Sequence, residues 1–200
     1  MSGMSMPRQE WYLSLPEYLG MWMTMMLPMM LPSLVPMVSR YRRSVPAEGL
    51  RRHGLTVLVG LGYFAIWAVL GALVHGAEST GASWLPGAAG LVLLAAGAAQ
   101  LTRWKSRQLA LCRGEAGDGC HQAAGAGSAF RYGLELGVRC SRACGPLMLA
   151  LLASGMMEPL PMAAATLAIT AERIAPAPLR VARLAGVAIL VTGVLTMARG

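Results

Sequence analysis

Charged side chains are scarce in this chain. Of its 200 residues only 13% are Asp, Glu, Lys or Arg, whereas 56% are hydrophobic and the mean hydropathy is +0.53. A soluble domain carries about 25% charged residues, so the chain has too few charges to cover a surface that faces water. Apolar runs recur along the whole length, as a lipid bilayer requires. The composition therefore predicts an integral membrane protein whose main partner is the bilayer.

Histidine is also scarce, with three residues in the whole chain. This number is too small for a metal centre built from several imidazole ligands. The sequence contains no H-E-x-x-H motif, no nucleophile elbow, no phosphate-binding loop and no dinucleotide fingerprint. We therefore expect a protein that is not an enzyme.

Apolar segments divide the chain and predict an all-α fold, a polytopic membrane bundle of about six transmembrane helices. The spans are placed at roughly 19–38, 55–75, 84–101, 129–157, 159–175 and 179–198. Together they form a single transmembrane domain over residues 1–200. The glycine-rich stretch 114–128 has no apolar periodicity and is interpreted as a flexible loop. The first residues, up to Tyr18, lack a short apolar core, so a cleaved signal peptide is not expected.

The segments that connect these spans alternate between basic and non-basic composition. The first, third and fifth connections are basic and the other two are not. The third and fifth connections contain these basic residues: Arg103, Lys105, Arg107, Arg113, Arg173, Arg180 and Arg183. Because basic loops face the cytoplasm, the alternation predicts that both termini lie outside. The same rule explains the net charge of +8, so no nucleic-acid partner is expected.

Methionine is concentrated in the first span. The run from Met21 to Met37 holds seven of the chain's fifteen methionines and three prolines, with no charged residue. Thioether sulfur is a soft ligand that favours soft metal ions, above all Cu(I). The alternative is that methionine serves only as a flexible apolar filler of a membrane helix.

Two cysteines of the fourth span could supply thiolate ligands. Cys140 and Cys144 are four residues apart, so their side chains share one helix face. Met148 extends that face by one turn, and the three residues form a column of sulfur atoms suited to a soft metal. The alternative is that these thiols are packed and inert.

A second group of methionines is expected at the opposite side of the membrane. Met156, Met157 and Glu158 follow the fourth span, and the candidate ligands Met21, Met25 and Met26 lie near the start of the first. An outer methionine cluster and an inner cysteine pair could pass Cu(I) between them by exchange of ligands.

Four motifs carry a resemblance to a known family. They are W-M-T-M-M-L-P-M-M-L-P, Y-F-A-I-W-A-V-L-G, A-A-Q-L-T-R-W-K-S-R-Q-L-A-L-C-R and G-L-E-L-G-V-R-C-S-R-A-C-G-P-L-M-L-A-L-L-A-S-G-M-M, followed by A-E-R-I-A-P. In this order they are similar to a bacterial family of predicted metal-binding integral membrane proteins. The family pattern has additional cysteines next to the positions of Cys112 and Cys144, which this chain lacks. The resemblance implies metal binding at the bacterial inner (plasma) membrane.

These observations support one leading hypothesis and two alternatives. The leading hypothesis is a Cu(I) chaperone or delivery factor that binds copper as its only metal and passes it to a copper-receiving protein. The first alternative is a structural or accessory subunit whose methionines pack against other membrane-complex subunits. The second is a small-solute transporter, which six spans would permit.

Overall fold

The structure is a computed structural model that describes residues 14–46, 48–79, 88–113, 125–155 and 159–199. Within these ranges the chain forms seven α-helices and no strand. The helices are α1 (Leu15–Ser44), α2 (Gly49–Ser79), α3 (Ala88–Leu101), α4 (Arg103–Arg113), α5 (Ala126–Ser154), α6 (Pro159–Ile174) and α7 (Pro178–Arg199). The all-α prediction is therefore confirmed for the described residues.

The predicted number of membrane-spanning helices is wrong. Four of the described helices, α1, α2, α5 and α7, are long and apolar enough to cross a bilayer. At 1.5 Å per residue, the 14 residues of α3 cover about 21 Å and the 16 residues of α6 about 24 Å. Both lengths are below the roughly 30 Å of a hydrocarbon core. Hydropathy located these two segments but did not reveal how short their helices are.

Two further boundaries differ from the sequence-based expectation. The basic segment after α3 is a separate helix, α4, which begins after Thr102, whose hydroxyl group donates a hydrogen bond to the Ala99 carbonyl. The last three residues of the expected loop 114–128 belong to α5, which begins at Ala126. Residues 114–124 of that loop lie outside the described residues.

Helices α2 and α5 approach each other closely because glycines face each other across the contact. A Cβ atom at Gly62 would collide with the Phe130 carbonyl oxygen, and one at Gly133 would collide with the Val59 carbonyl oxygen. Further along, Gly137 meets the Tyr63 carbonyl oxygen. The positions rise together along both helices, so α2 and α5 run parallel. Small residues permit this close packing in membrane helices.

Helices α3 and α7 also pack through glycines, but in antiparallel directions. Gly90 lies against Gly193, and Gly97 lies against Gly186. Helix α1 is antiparallel to α2, as its side chain contacts show: the Tyr18 ring packs on the ring of His75. The relative directions of α1, α2, α3, α5 and α7 are those expected if the chain crosses the bundle six times in alternating directions. Two of these six segments, α3 and α6, are too short to span a bilayer.

The outer surface of the bundle is apolar. Helix α5 is the most enclosed of the four long helices, with 56% of its most apolar 18-residue window buried, compared with 17% for α7. Large aliphatic side chains point away from the bundle, including Leu160 (79% exposed) and Leu184 (72% exposed). An exposed apolar surface of this extent marks an interaction with lipid or protein.

Candidate metal site

The two cysteines predicted as ligands lie together in the interior of the bundle. Cys140 and Cys144 occupy successive turns of α5, and both are buried. Their Sγ atoms are 3.7 Å apart, and neither residue forms a disulfide. The helical spacing predicted from the sequence therefore produces a pair of thiols that face the same interior space.

Two side chains from other helices contact this pair. The Tyr63 hydroxyl group of α2 donates a hydrogen bond to Cys140 Sγ at 3.0 Å. Arg173 of α6 donates from Nη2 to Cys140 Sγ at 3.2 Å and to Cys144 Sγ at 3.6 Å. A guanidinium group stays charged under all ordinary conditions. The sulfur atoms are thus held against a fixed positive charge.

A buried ion pair lies beside the thiols. Lys105 of α4 contacts Glu172 of α6 with an Nζ–Oε2 distance of 2.8 Å, and both side chains are almost completely buried. Gln100 donates a hydrogen bond to the other carboxylate oxygen at 2.7 Å. Lys105 Nζ also donates to the carbonyl oxygen of Ala143, the residue before Cys144, at 2.5 Å. This network connects α3, α4 and α6 to the turn of α5 that carries the thiols.

A third cysteine lies at the edge of the same region. Cys112 of α4 is buried, and its thiol donates a hydrogen bond to the Arg139 carbonyl oxygen at 2.9 Å. Burial raises the pKa of the Cys112 thiol, and the nearby Arg173 guanidinium partly opposes that rise. Among the described residues, no group of three or more His, Cys, Asp or Glu side chains could hold one metal ion. Cys140 and Cys144 therefore form a two-thiol site.

The predicted methionine ligands divide into several groups. Met148 is buried one turn beyond Cys144 on α5. Met21 and Met25 of α1, with Met29, line a cavity of about 540 Å³ that Met162 of α6 also lines. Met26 is completely buried in the core and does not line this cavity, and Met156, Met157 and Glu158 lie outside the described residues.

The methionine cavity and the thiol pair lie at opposite ends of α6. Met162 is in the first turn of this helix and Arg173 is in its last turn, eleven residues later. At 1.5 Å per residue this separation is about 16 Å along the axis. One continuous hydrophobic core connects the two regions, and it contains several sulfur-bearing side chains: Met26, Met29, Met30, Cys140, Cys144 and Met148.

One comparison with known proteins gives a match. A family model described as "PpoB2: Copper chaperone" matches residues 19–196, which is nearly the whole chain. The chain belongs to the PpoB2 copper chaperone family. No curated protein and no solved structure matches the chain. The match supports the copper-handling role that was expected from the sequence.

Several residues of the site in this PpoB2 family member were not predicted from the sequence. Lys105 and Arg173 were assigned to basic connecting segments, but the structure buries both of them inside helices. The signal that could have found them is the set of motifs. Gln100, Lys105, Glu172 and Arg173 all fall within the segments that carry the family resemblance, and the fold brings these segments to the thiols.

Proposed function

We propose that this protein is a membrane-embedded Cu(I) chaperone that holds one copper ion between the thiolates of Cys140 and Cys144. It is a binding and delivery protein and not an enzyme. Its cargo is passed to a copper-receiving protein by exchange of sulfur ligands. The observation that carries the proposal is the pair of buried thiols whose Sγ atoms are 3.7 Å apart.

The thiol pair fits a soft metal ion. A metal–thiolate bond is about 2.3 Å long for zinc, so two thiolates on one ion of similar size can be at most about 4.6 Å apart. The observed separation of 3.7 Å satisfies this limit. Thiolate ligands suit thiophilic metals, which include Cu(I) and zinc, and the match to a copper chaperone family favours copper. Met148 is available on the same helix face as a weaker thioether ligand.

The methionine cavity supports a second, weaker binding place. Met21, Met25 and Met29 lie at successive turns of α1 and meet Met162 across the cavity. Thioethers are neutral, and they bind Cu(I) without having to lose a proton. We assign this cavity to the loading or release of copper at the end of the bundle opposite the thiols.

The apolar exterior supports a location in the bilayer. We place the protein in the bacterial inner membrane with both termini outside, because the basic segments alternate along the chain. The parallel packing of α2 and α5 fits this topology if the shorter segment with α3 carries the chain back across the bundle between them. In this orientation the thiols lie toward the cytoplasm, where they stay reduced. The methionine cavity lies toward the outer side.

A titration of the purified protein with Cu(I) tests the proposal. The protein is prepared in mild detergent without oxygen, and a chromogenic chelator competes for the metal. The wild type is expected to bind one tight Cu(I) equivalent, and the Cys140→Ser/Cys144→Ser variant is expected to lose it. Cys112→Ser is the matched control, because this buried thiol lies beside the pair and uses its proton in a hydrogen bond to a backbone carbonyl.

Two results would contradict the proposal. Unchanged Cu(I) stoichiometry and affinity in the double variant would remove the thiol pair from the site. A wild-type protein that binds no copper but co-purifies with a stoichiometric membrane partner would instead identify an accessory subunit.

A further inference from the structure

A positive charge is enclosed with the two thiols. Arg173 is 8% exposed, and its Nη2 atom lies 3.2 Å and 3.6 Å from the two sulfur atoms. Its Nη1 atom is buried and has no hydrogen-bond partner among the described residues. Burial of a charge is costly unless an opposite charge accompanies it. The guanidinium therefore needs a negative charge from its surroundings.

The nearby acid does not supply that charge. Glu172, the neighbouring residue on α6, is already paired with Lys105 at 2.8 Å. These two charges cancel each other and leave the charge of Arg173 uncompensated. Among the described residues, the thiols of Cys140 and Cys144 contact the guanidinium, and the Cys112 thiol lies close enough to interact with its charge. Because the Cys112 thiol donates its proton to a backbone carbonyl, the negative charge has to come from the pair on α5.

The charge of the bound ion then decides whether the site is neutral. Two thiolates with a monovalent ion carry a net charge of −1, which the guanidinium cancels. Two thiolates with a divalent ion carry no net charge, so the guanidinium stays uncompensated in a region of low dielectric constant. The same side chain would donate N–H groups to both metal-bound sulfur atoms, and contacts of this kind orient ligands and tune affinity.

We propose that Arg173 is a positioning residue that makes the thiol pair selective for a monovalent thiophilic ion over a divalent one. This inference rests on the proposed function, because it takes Cys140 and Cys144 as the ligands. It adds the substrate class, which is defined by the charge of the ion as well as by its softness.

The test compares Cu(I) with Cd(II), two thiophilic ions of different charge. Affinities are measured by competition, and the ultraviolet thiolate-to-metal charge-transfer band reports ligation directly. In Arg173→Gln, Cu(I) affinity is expected to fall by about 10- to 100-fold, whereas Cd(II) affinity stays the same or rises. Arg173→Lys keeps the charge and is expected to restore most of the preference for Cu(I). Arg183→Gln removes an exposed charge from α7 and serves as the matched control.

The outcomes separate the inference from the proposed function. An equal loss for both ions, or no loss for either, in a folded Arg173→Gln would overturn the role of Arg173 and leave the thiol site intact. Thermal unfolding of each variant shows whether it is folded. If Arg173→Gln does not fold, the test rests on Arg173→Lys. A preference for Cu(I) like that of the wild type in Arg173→Lys would then support the inference, and loss of that preference would contradict it. Failure of the Cys140→Ser/Cys144→Ser variant to lose Cu(I) would overturn the proposed function itself.

Discussion

Lys105 and Glu172 form an ion pair in which the Nζ and Oε2 atoms are 2.8 Å apart and both side chains are shielded from solvent. The pair joins α4 to α6 immediately beside the cysteines, and Lys105 also holds the Ala143 carbonyl oxygen on α5. Three helices therefore meet at one buried lysine. Its charge can be tolerated there only because the carboxylate is present.

Removal of one partner of this pair is expected to lower the free energy of unfolding more than removal of both partners. Lys105→Met leaves the Glu172 carboxylate buried without a counter-charge, which should lower the free energy of unfolding by about 3–5 kcal/mol. The double variant Lys105→Met/Glu172→Gln removes both charges of the pair, so neither partner is left unpaired, and it should recover part of that loss. Unfolding with denaturant in detergent measures both effects. A double variant less stable than the single one would contradict this account of the pair.

The contact between α2 and α5 is expected to be sensitive at one glycine and tolerant at its neighbour. In Gly62→Ala the new methyl group meets the backbone of α5, and the forced shift should lower the free energy of unfolding by about 1–3 kcal/mol. Gly60→Ala is the matched control on the same helix, because no atom lies within 4 Å of its added Cβ atom. Thermal unfolding of the two variants makes the comparison, and equal melting temperatures would contradict the close packing.

The Gly62→Ala and Gly60→Ala variants are also expected to differ in Cu(I) binding. Tyr63, which follows Gly62, donates its hydroxyl hydrogen to Cys140 Sγ across this interface. A forced separation of the helices should also disturb the thiol pair. We therefore expect weaker Cu(I) binding in Gly62→Ala than in Gly60→Ala.

Local patterns in the sequence predicted the all-α fold class and the shared helix face of the two cysteines, but not the number of membrane-spanning helices. A spacing of four residues determines a shared helix face without reference to the rest of the fold, so Cys140 and Cys144 could be paired from the sequence. The same reasoning applies to Gly90 and Gly97, which are seven residues apart, share one face of α3 and both pack closely against α7.

The charged part of the site could not be predicted in this way. The rule for basic loops treats every lysine or arginine as exposed, whereas burial of a charge depends on partners that are distant in the sequence. Gln100 and Glu172 are 72 residues apart, and no local pattern connects them. Neighbouring helix positions also point in different directions, so spacing along α6 does not predict that Glu172 and Arg173 are both buried. In the fold, Glu172 pairs with Lys105 of α4 and Arg173 contacts Cys140 of α5, so both side chains are buried.

Methionine side chains of the cavity are expected to affect the rate of copper loading more than its equilibrium. In Met21→Leu/Met25→Leu/Met162→Leu the volume is nearly conserved, so the fold should be retained, but the thioether ligands are lost. Growth of the charge-transfer band after addition of Cu(I) should be severalfold slower, with the same final amplitude. Met197→Leu replaces a methionine on α7 that is 47% exposed and is the matched control. Unchanged loading kinetics in the triple variant would exclude the cavity from the copper path.

Cys112 is expected to resist alkylation and to remain insensitive to copper. Burial raises the pKa of its thiol, so the folded state keeps the thiol protonated and holds less of the reactive thiolate. The raised pKa also means that the thiol's contribution to stability is complete below the pKa of the unfolded chain and is lost as the pH rises above it. Copper should protect Cys140 and Cys144 from a thiol reagent but leave the labelling of Cys112 unchanged.

Mass spectrometry of peptides after timed alkylation at pH 8 measures this prediction. The peptide Gln108–Arg113 reports Cys112 alone, and the denatured protein gives the rate for a fully exposed thiol. Labelling of Cys112 should be much slower in the folded protein, with and without Cu(I), and should increase as the pH is raised. Protection of Cys112 by one equivalent of Cu(I) would show instead that this thiol joins the pair as a third ligand, because metal binding requires the thiolate that the reagent attacks.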